Sequence, residues 1–405
     1  MIYNNKKYTN TFCCIYPFNP FHHIFQFILQ IYTKKKKRQY FLHKKIVSLQ
    51  KFKYMDIINF KQRLSETIKW LRFPLIFFII LLHCYSTVWI PGDREMYFKV
   101  LYPFSLWIGE TGVPGFFFIS GFLFFLSKKQ YQQKLETRFY TLLIPYLLWN
   151  ALLLGLYIIA FIAGYPQEIN GKSIADYTFV DYVRAFWDRG SYDNGNFVPI
   201  LCPFWYIRNL LIMSVFSPIF FFIIKNVRET FLLVVTVWWL LTPHNAFISQ
   251  TILFFCLGAY FSIFEKNPLE IFHKQQKWYL PLCIIFSVAD IVVHIIYVTP
   301  INLQIHRFAL LFNIPVLFLL ADYCCQHGIT SRFLANAAFI VFSVHYPIVV
   351  IMRKICAAKL GYASDSIHIP LYFICVIIAT TISILIYICL NRFCPKIKNI
   401  LSGNR

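Results

Sequence analysis

Long apolar runs recur along the chain between residues 71 and 390, and short polar segments separate them. An α-helix needs about 20 consecutive apolar residues to cross the roughly 30 Å hydrocarbon core of a membrane. The runs therefore predict spans at residues 71–90, 101–126, 139–163, 204–224, 230–242, 247–264, 278–298, 306–325, 334–352 and 369–390. The run at 230–242 is short for a span. The pattern predicts an all-α, polytopic transmembrane helix bundle of about ten spans.

Composition and charge agree with a membrane protein and predict its orientation. Hydrophobic residues make up 58% of the 405 residues and charged residues 14%, whereas soluble domains carry about 25% charged residues. With the N-terminus placed in the cytoplasm, the inner segments from residue 55 onward hold 18 Lys and Arg and the outer segments hold nine. Cytoplasmic loops carry such an excess. This bias predicts ten spans with both termini cytoplasmic. We expect a multi-pass protein of the inner cell membrane.

The first 54 residues differ from the rest of the chain. They contain eleven Lys or Arg and no acid, and so supply half of the net charge of +22. The basic run at 34–38 resembles a patch that binds nucleic acid or anionic lipid. We favour another interpretation, an upstream extension with translation starting at Met55. Residues 55–400 are then the transmembrane domain, and no nucleic-acid partner is expected.

Arg72 and His83 stand eleven residues apart in the first apolar run. An ionisable side chain within a membrane span is costly and points to function by default. Eleven residues at about 100° each return to within about 20° of the starting direction, about 16 Å along the helix. The two side chains therefore share one helix face. A cation near one membrane boundary and an imidazole deeper in the membrane suggest catalysis on a substrate that reaches into the membrane.

Four other predicted spans also carry ionisable residues in the outer half of the membrane. With His83, the set comprises Glu110, Arg208, Asp290, His294 and His345. Buried charges have to pair or line a wet cavity, so we expect Asp290 or Glu110 to pair with Arg208 or with a His. Asp290 is expected to be a structural partner. The Gly-rich stretch at 109–115 is expected to interrupt the second helix.

Basic residues concentrate at the predicted cytoplasmic helix ends. They are Lys69, Arg72, Lys128, Lys129, Arg138 and Arg332. One interpretation is membrane topology and contact with lipid phosphates. The other is docking of a polyanionic cosubstrate such as coenzyme A. Arg72 and Arg138 are the better candidates, because each begins a span and a guanidinium offers a planar fork for phosphate.

The longest outer segment, residues 164–203, contains five acids and three bases and is rich in Tyr, Trp, Asn and Gly. It has two interpretations. One is a solvated connector between spans. The other is a carbohydrate-facing cap, because aromatic rings and carboxylates bind the faces and hydroxyls of sugars.

Six short motifs follow one another in a fixed order along the chain. They are the Arg72–His83 pair, GVPGFFFISG at 112–121, Arg138 before IPY at 144–146, PFWYIRNL at 203–210, FFCLG at 254–258, and SVHYP at 343–347. Together they resemble the acyltransferase-3 family of polytopic membrane O-acyltransferases, which acylate surface polysaccharides. The resemblance covers about residues 69–347. The chain departs from it at Asn209, where the family commonly has Asp, and residues 1–54 have no counterpart.

The resemblance implies an acyl-CoA cosubstrate, usually acetyl-CoA, bound from the cytoplasmic side. The acyl group passes to a hydroxyl of a cell-surface or lipid-linked glycan, and no permanently bound cofactor is expected. His83 is expected to act as general base or to form a covalent acyl-His intermediate. The tetrahedral oxyanion is expected to find donors in Arg208, Ser120 or backbone N–H groups near 112–115. The candidate catalytic residues are His83, Arg72, Arg208, His345 and Glu110, and the candidate acyl-CoA-binding residues are Arg72, Arg138, Lys128 and Ser120.

Other functions compete with this interpretation. A transporter or flippase for glycan or lipid-linked intermediates also suits ten helices with buried charges. Acyltransferases built around one intramembrane His and Asn are a further alternative, in which His345 is the histidine, but the Arg72–His83 pair then has no explanation. The twelve Cys lack a C-x-x-C spacing, and no metal site is expected. A soluble serine hydrolase is disfavoured because no G-x-S-x-G occurs.

Overall fold

The structure is a computed structural model that describes residues 61–85, 94–165, 167–169, 171–189, 198–242, 247–296 and 301–404. The basic extension at 1–54, its run at 34–38 and the start at Met55 lie outside the described residues and stay predictions.

Helices account for almost all regular structure in the described residues. They are α1 (Lys61–Cys84), α2 (Glu95–Leu126), α3 (Tyr131–Ile162), α4 (Phe179–Arg184), α5 (Trp205–Val215), α6 (Ser217–Val227), α7 (Glu229–Leu241), α8 (Phe247–Ile263), α9 (Pro268–Lys274), α10 (Gln276–Ile296), α11 (Asn302–Gln326), α12 (Arg332–Leu360), α13 (Asp365–Phe393) and α14 (Pro395–Ser402). Two short strands, β1 (Glu168–Ile169) and β2 (Lys172–Ser173), pair antiparallel between α3 and α4. The all-α prediction is confirmed.

The number of candidate membrane spans is seven to nine within the described residues. Seven helices are long and apolar enough to cross a membrane, and the bent pairs α5–α6 (67°) and α8–α9 (95°) raise the number to nine. The remaining predicted run, 230–242, forms α7, whose 13 residues reach only about 20 Å. A polytopic bundle is therefore confirmed. The cytoplasmic location of the termini stays a prediction.

Helix α1 starts earlier and ends earlier than the first apolar run. It is already helical at Lys61, the first described residue and ten residues before the run, because a helix continues through polar turns that water can solvate. It ends at Cys84 rather than at residue 90, and residues 86–93 lie outside the described part of the chain. Arg72 therefore lies in the middle of α1, and His83 lies in its last turn.

Helix α2 spans 32 residues as one helical unit, but its regular α-helical geometry is interrupted by a π-helical segment at Pro103–Ile108 and by a turn at Thr111. The predicted interruption in the Gly-rich stretch is therefore found as a local turn and not as a break into two helices. The glycines also allow α2 to pack closely against α1. A Cβ added to Gly112 would lie 2.7 Å from the Leu75 carbonyl oxygen, and one added to Gly115 would lie 2.8 Å from Leu75 Cδ2. Small residues permit such close approach of helix backbones in membranes.

Helices α2 and α8 approach each other closely through two glycines. A Cβ on Gly121 would overlap the carbonyl oxygen of Phe255, and a Cβ on Gly258 would overlap the carbonyl oxygen of Phe118. The rings of Phe118 and Phe255 are fully buried beside this contact. The two glycines thus hold one side of the bundle in register through reciprocal backbone contacts.

The outer segment at 164–203 folds against the end of α3. A small apolar cluster forms there, with Leu154 of α3 packed against Ile169, Ile174, Ala185 and Ile200. The side chain of Thr178 caps α4, and Asp188 is buried and pairs with Arg184 at 2.8 Å. At least one acid of the segment therefore has a structural role. Its interpretations as a connector and as a carbohydrate-facing cap both stay open.

We predict that Gly121→Ala destabilises the protein by about 1–3 kcal/mol, because the added methyl group has to displace the α8 backbone. Gly155→Ala is the matched control, since Gly155 also lies within a long helix and an added Cβ there meets nothing within 4 Å. The measurement is the melting temperature of each purified variant in detergent. Equal melting temperatures for the two variants would contradict the close α2–α8 contact.

Candidate functional site

Two cavities lie along the same face of α1. The first has a volume of about 310 Å³ and is lined from α1 by Arg72 and Ile76. The second has a volume of about 570 Å³ and is lined from α1 by Ile79 and His83. The spacings of four, three and four residues describe one helical stripe. The prediction that Arg72 and His83 share a face is confirmed, and we name the two spaces the Arg72 cavity and the His83 cavity.

The ring of Phe342 on α12 borders both cavities. It stacks on Phe204 with the ring centroids 5.6 Å apart and an interplanar angle of 4°. Its edge also meets the ring of Tyr206, at 6.2 Å between centroids. The two cavities therefore lie in series along α1, with one packed aromatic ring between them.

The Arg72 cavity combines two guanidinium groups with neutral polar side chains. Arg72 and Arg138 both line it, and neither forms an ion pair with an Asp or Glu of the described residues. Arg138 lies 5.5 Å from the ring centroid of Phe124. The hydroxyl groups of Ser120 and Tyr206, 2.9 Å apart, form part of the wall. Two positive charges beside hydroxyl donors favour an anionic ligand.

Lys128, the remaining predicted acyl-CoA-binding residue, lies elsewhere. Its side chain is exposed beyond the end of α2 and does not line the Arg72 cavity. The cavity is bordered by residues within the helices, whereas Lys128 lies in the turn between α2 and α3. The structure thus brings Arg72, Arg138 and Ser120 together and leaves Lys128 apart from them.

His83 packs against two aromatic side chains of α12. Its ring centroid lies 5.5 Å from that of His345 and 5.1 Å from that of Tyr346. His345 is fully buried, and its Nδ1 lies 2.7 Å from the Phe342 carbonyl oxygen. A nitrogen that faces a carbonyl carries the hydrogen, so the lone pair of the neutral ring is on Nε2. That Nε2 has no partner among the described residues. His345 therefore packs against the His83 ring but does not line the His83 cavity.

Two arginines that sequence analysis did not select lie close to His83. Arg353 of α12 donates from Nη1 to the His83 carbonyl oxygen at 3.2 Å. Arg189 forms a side-chain hydrogen bond with Tyr346. Arg353 follows Tyr346 by seven residues, which is two helical turns, so its position on the same face of α12 was readable from the sequence. Its approach to α1 was not readable, because that contact depends on tertiary packing.

A cluster of acidic and imidazole groups forms another wall of the His83 cavity. Asp290 accepts hydrogen bonds from Tyr102 Oη at 3.0 Å, His294 Nδ1 at 2.9 Å and His306 Nδ1 at 2.8 Å. The other ring nitrogen of His306 lies 3.0 Å from Glu110 Oε2. The predicted pairing of Asp290 and Glu110 with a histidine is confirmed. His306 was not predicted as that partner because it is the first residue of the apolar run at 306–325, where a polar residue is expected at the end of a span.

Arg208 does not reach the His83 cavity. It lines a separate cavity of about 270 Å³, where its guanidinium lies 5.0 Å from the ring centroid of Trp187. Its Nη1 donates to the Trp187 carbonyl oxygen at 2.7 Å, and its Nη2 donates to Asn209 Oδ1 at 3.0 Å. Of the two alternatives expected for Asp290 and Glu110, the structure therefore shows pairing with histidines and not with Arg208. The Trp187 contacts hold the guanidinium away from both carboxylates.

The predicted backbone donors near 112–115 are also positioned differently from expectation. Pro114 has no N–H, and the Gly115 N–H donates within the helix to the Thr111 carbonyl oxygen at 3.2 Å. The site that remains has two parts. One contains Arg72, Arg138 and Ser120, and the other contains His83 and Glu110 with His294 and His306.

Comparison with known proteins agrees with this arrangement. The family model described as "Acyltransferase domain", acyltransferase 3, matches residues 66–388. The chain is 23% identical over 368 residues to "Succinoglycan biosynthesis protein ExoH" of Rhizobium meliloti (strain 1021). The aligned region covers 84% of this chain and 92% of that protein. No solved structure matches the chain. Since the family model spans most of the chain, this protein is a member of the acyltransferase 3 family.

Proposed function

We propose that this protein transfers an acyl group from cytoplasmic acyl-CoA to a hydroxyl of a cell-surface or lipid-linked glycan at the inner cell membrane. The acyl group that we propose is acetyl. The observation that carries the proposal is the pair of cavities in series along α1. One contains two guanidinium groups without carboxylate partners among the described residues, and the next contains an imidazole. Membership of the acyltransferase 3 family and similarity to a succinoglycan biosynthesis protein support acyl transfer and a glycan-related acceptor.

The Arg72 cavity is the proposed donor site. Phosphate groups accept charge-assisted hydrogen bonds from guanidinium forks. Arg72 and Arg138 supply two such forks, and Ser120 adds a hydroxyl donor. With the phosphates held there, the pantetheine arm of acyl-CoA extends along α1 past Phe342 toward His83. The roughly 16 Å between Arg72 and His83 is of the right order for such an extended arm.

The His83 cavity is the proposed acceptor site. Its walls include the aromatic side chains of Tyr102, Trp205 and Trp239. Polar groups between these rings come from Glu110 and Gln250. Aromatic faces pack on the apolar faces of sugars, a carboxylate accepts hydrogen bonds from sugar hydroxyls, and a side-chain amide both accepts and donates them. With a volume of about 570 Å³, the cavity is within the usual range of small-molecule sites.

His83 is the proposed catalytic residue at the meeting point of donor and acceptor. The hydroxyl oxygen forms a bond to the thioester carbonyl carbon, the C–S bond breaks, and the hydroxyl proton ends on the thiolate. His83 acts either as the base for that proton or as the nucleophile that first accepts the acyl group. His345 and Tyr346 hold its ring, and the positive charges of Arg189 and Arg353 lie nearby. Such charges stabilise the oxyanion of the tetrahedral intermediate.

We predict that His83→Ala lowers acetyl transfer by about 100-fold or more, because a positioned base or nucleophile is lost. The measurement is incorporation of label from [¹⁴C]acetyl-CoA into envelope glycan, in membranes with matched amounts of folded protein. His327→Ala is the control, since His327 is exposed and bonds only to the Tyr323 carbonyl oxygen in the described structure. No acetyl label in wild type, together with loss of glycan export in His83→Ala, would contradict acyl transfer and favour a transporter.

We predict that Arg72→Ala and Arg138→Ala each raise the half-saturating acetyl-CoA concentration by about 10-fold or more, because a charge-assisted phosphate contact is lost. The maximal rate is expected to change less than this concentration. Lys225→Ala removes an exposed cation of α6 that lines neither cavity, and it serves as the control. An unchanged half-saturating concentration in both arginine variants would rule out the Arg72 cavity as the donor site.

A further inference from the structure

Glu110, His306 and Asp290 form a linear chain of ionisable groups that ends in the His83 cavity. Asp290 is fully buried at one end. The His306 ring lies between the carboxylates, with its Nδ1 2.8 Å from Asp290 Oδ2 and its Nε2 3.0 Å from Glu110 Oε2. The Glu110 side chain is 42% exposed, and it lines the same cavity as His83. The chain thus runs from the protein interior to a carboxylate at the cavity surface.

The hydrogen-bond chemistry of this chain fixes the orientation of Glu110. Carboxylates only accept, so both contacts of His306 are hydrogen bonds when each ring nitrogen carries a hydrogen. His306 then neutralises one negative charge and holds one oxygen of Glu110. Tyr102 and His294 fill the remaining acceptor positions of Asp290, so the His306 ring has a rigid support. The second Glu110 oxygen has no hydrogen-bond partner among the described residues, as expected for a group that binds substrate.

A second buried cluster shows what a purely structural version of this arrangement looks like. At the other end of α11, Asp322 accepts from Arg63 Nε at 3.1 Å and lies 2.9 Å from His273 Nε2. It is 1% exposed and lines none of the three described cavities. Its carboxylate joins α11 to α1 through Arg63 and to α9 through His273. The chain at Glu110 differs because its last carboxylate faces the space where the acceptor would bind.

We propose that Glu110 takes the proton from the acceptor hydroxyl, and that His306, fixed by Asp290, is the residue that positions Glu110. This inference rests on the proposed function and gives the base role to Glu110, so His83 is the nucleophile that first accepts the acyl group while the C–S bond breaks and the thiolate leaves. The acceptor oxygen then forms its bond to the acyl carbon while its O–H bond breaks and the proton passes to Glu110. The bond from the acyl carbon to the His83 nitrogen breaks with its electron pair. Glu110 then gives up the proton, which ends on the thiolate, and the carboxylate is restored.

The test measures transfer from [¹⁴C]acetyl-CoA to a native cell-envelope fraction, at matched amounts of folded protein. Glu110→Gln keeps the shape of the side chain and removes the base, so the maximal rate is expected to fall by about 100-fold or more, with the half-saturating acetyl-CoA concentration nearly unchanged. His306→Gln is expected to cause a loss of about 10-fold, because the carboxylate remains but loses its support. Asp322→Asn is the control for loss of a buried carboxylate, and its rate per folded protein is expected to match wild type.

Chemical rescue supplies a readout that a structural role would not change. Sodium formate is expected to restore part of the rate of Glu110→Ala, because it brings a carboxylate into the vacated space, and to restore none of the rate of His83→Ala. A wild-type rate in Glu110→Gln would overturn the inference while leaving the proposed function intact. An increase only in the amount of envelope fraction needed for half-maximal rate would also overturn it, since Glu110 would then bind acceptor without taking its proton. Absence of label transfer in wild type would instead refute the proposed function.

Discussion

The pitch of one helix sets the geometry on which the site depends. Arg72 and His83 are eleven residues apart, which is three turns of α1, so a guanidinium and an imidazole point the same way about 16 Å from each other. Ile76 and Ile79 continue the same stripe, and each borders one of the two cavities. The close α1–α2 contact at Gly112 and Gly115 keeps this stripe in place. A helix rotated by one residue, about 100°, would turn both functional groups away from their cavities.

The way in which buried charges are paired distinguishes the structural clusters of the bundle from the Arg72 cavity. Asp322 with Arg63 and His273, and Arg94 with Asp365 at 3.0 Å, join helices that are far apart in the chain. In these clusters the charges compensate one another. Arg72 and Arg138 are different, because no described carboxylate pairs with either and both border a cavity. Keeping a charge without a partner in a largely apolar bundle is costly unless a ligand or water compensates it.

The sequence predicted much of the fold and part of the site, for identifiable physical reasons. Membrane spans follow from apolar runs, and a shared helix face follows from residue spacing, so α1 and its Arg72–His83 stripe were predictable. Helix ends were less predictable from the sequence, because α1 includes polar residues before the apolar run and ends at Cys84, six residues before the end of that run. The pairing of His306 with Asp290 and Glu110 joins three helices and depends on tertiary packing. The same holds for Arg208, whose spacing does not reveal that the Trp187 carbonyl oxygen holds it outside the His83 cavity.

The ring of Phe342 bears on how one path serves two chemically different substrates. The proposed donor is a polyanion with a long, narrow arm, whereas the proposed acceptor is a polyol. An open, water-filled passage between their sites would expose a thioester to hydrolysis and would leak small solutes across the bundle. A packed aromatic wall avoids both, since Phe342 stacks on Phe204 and borders each cavity. Under the proposed function, only the thin acyl-bearing arm has to pass this wall. The phosphates and the sugar then each stay on the side where compensating groups exist, so the division between the cavities is itself part of the catalytic arrangement.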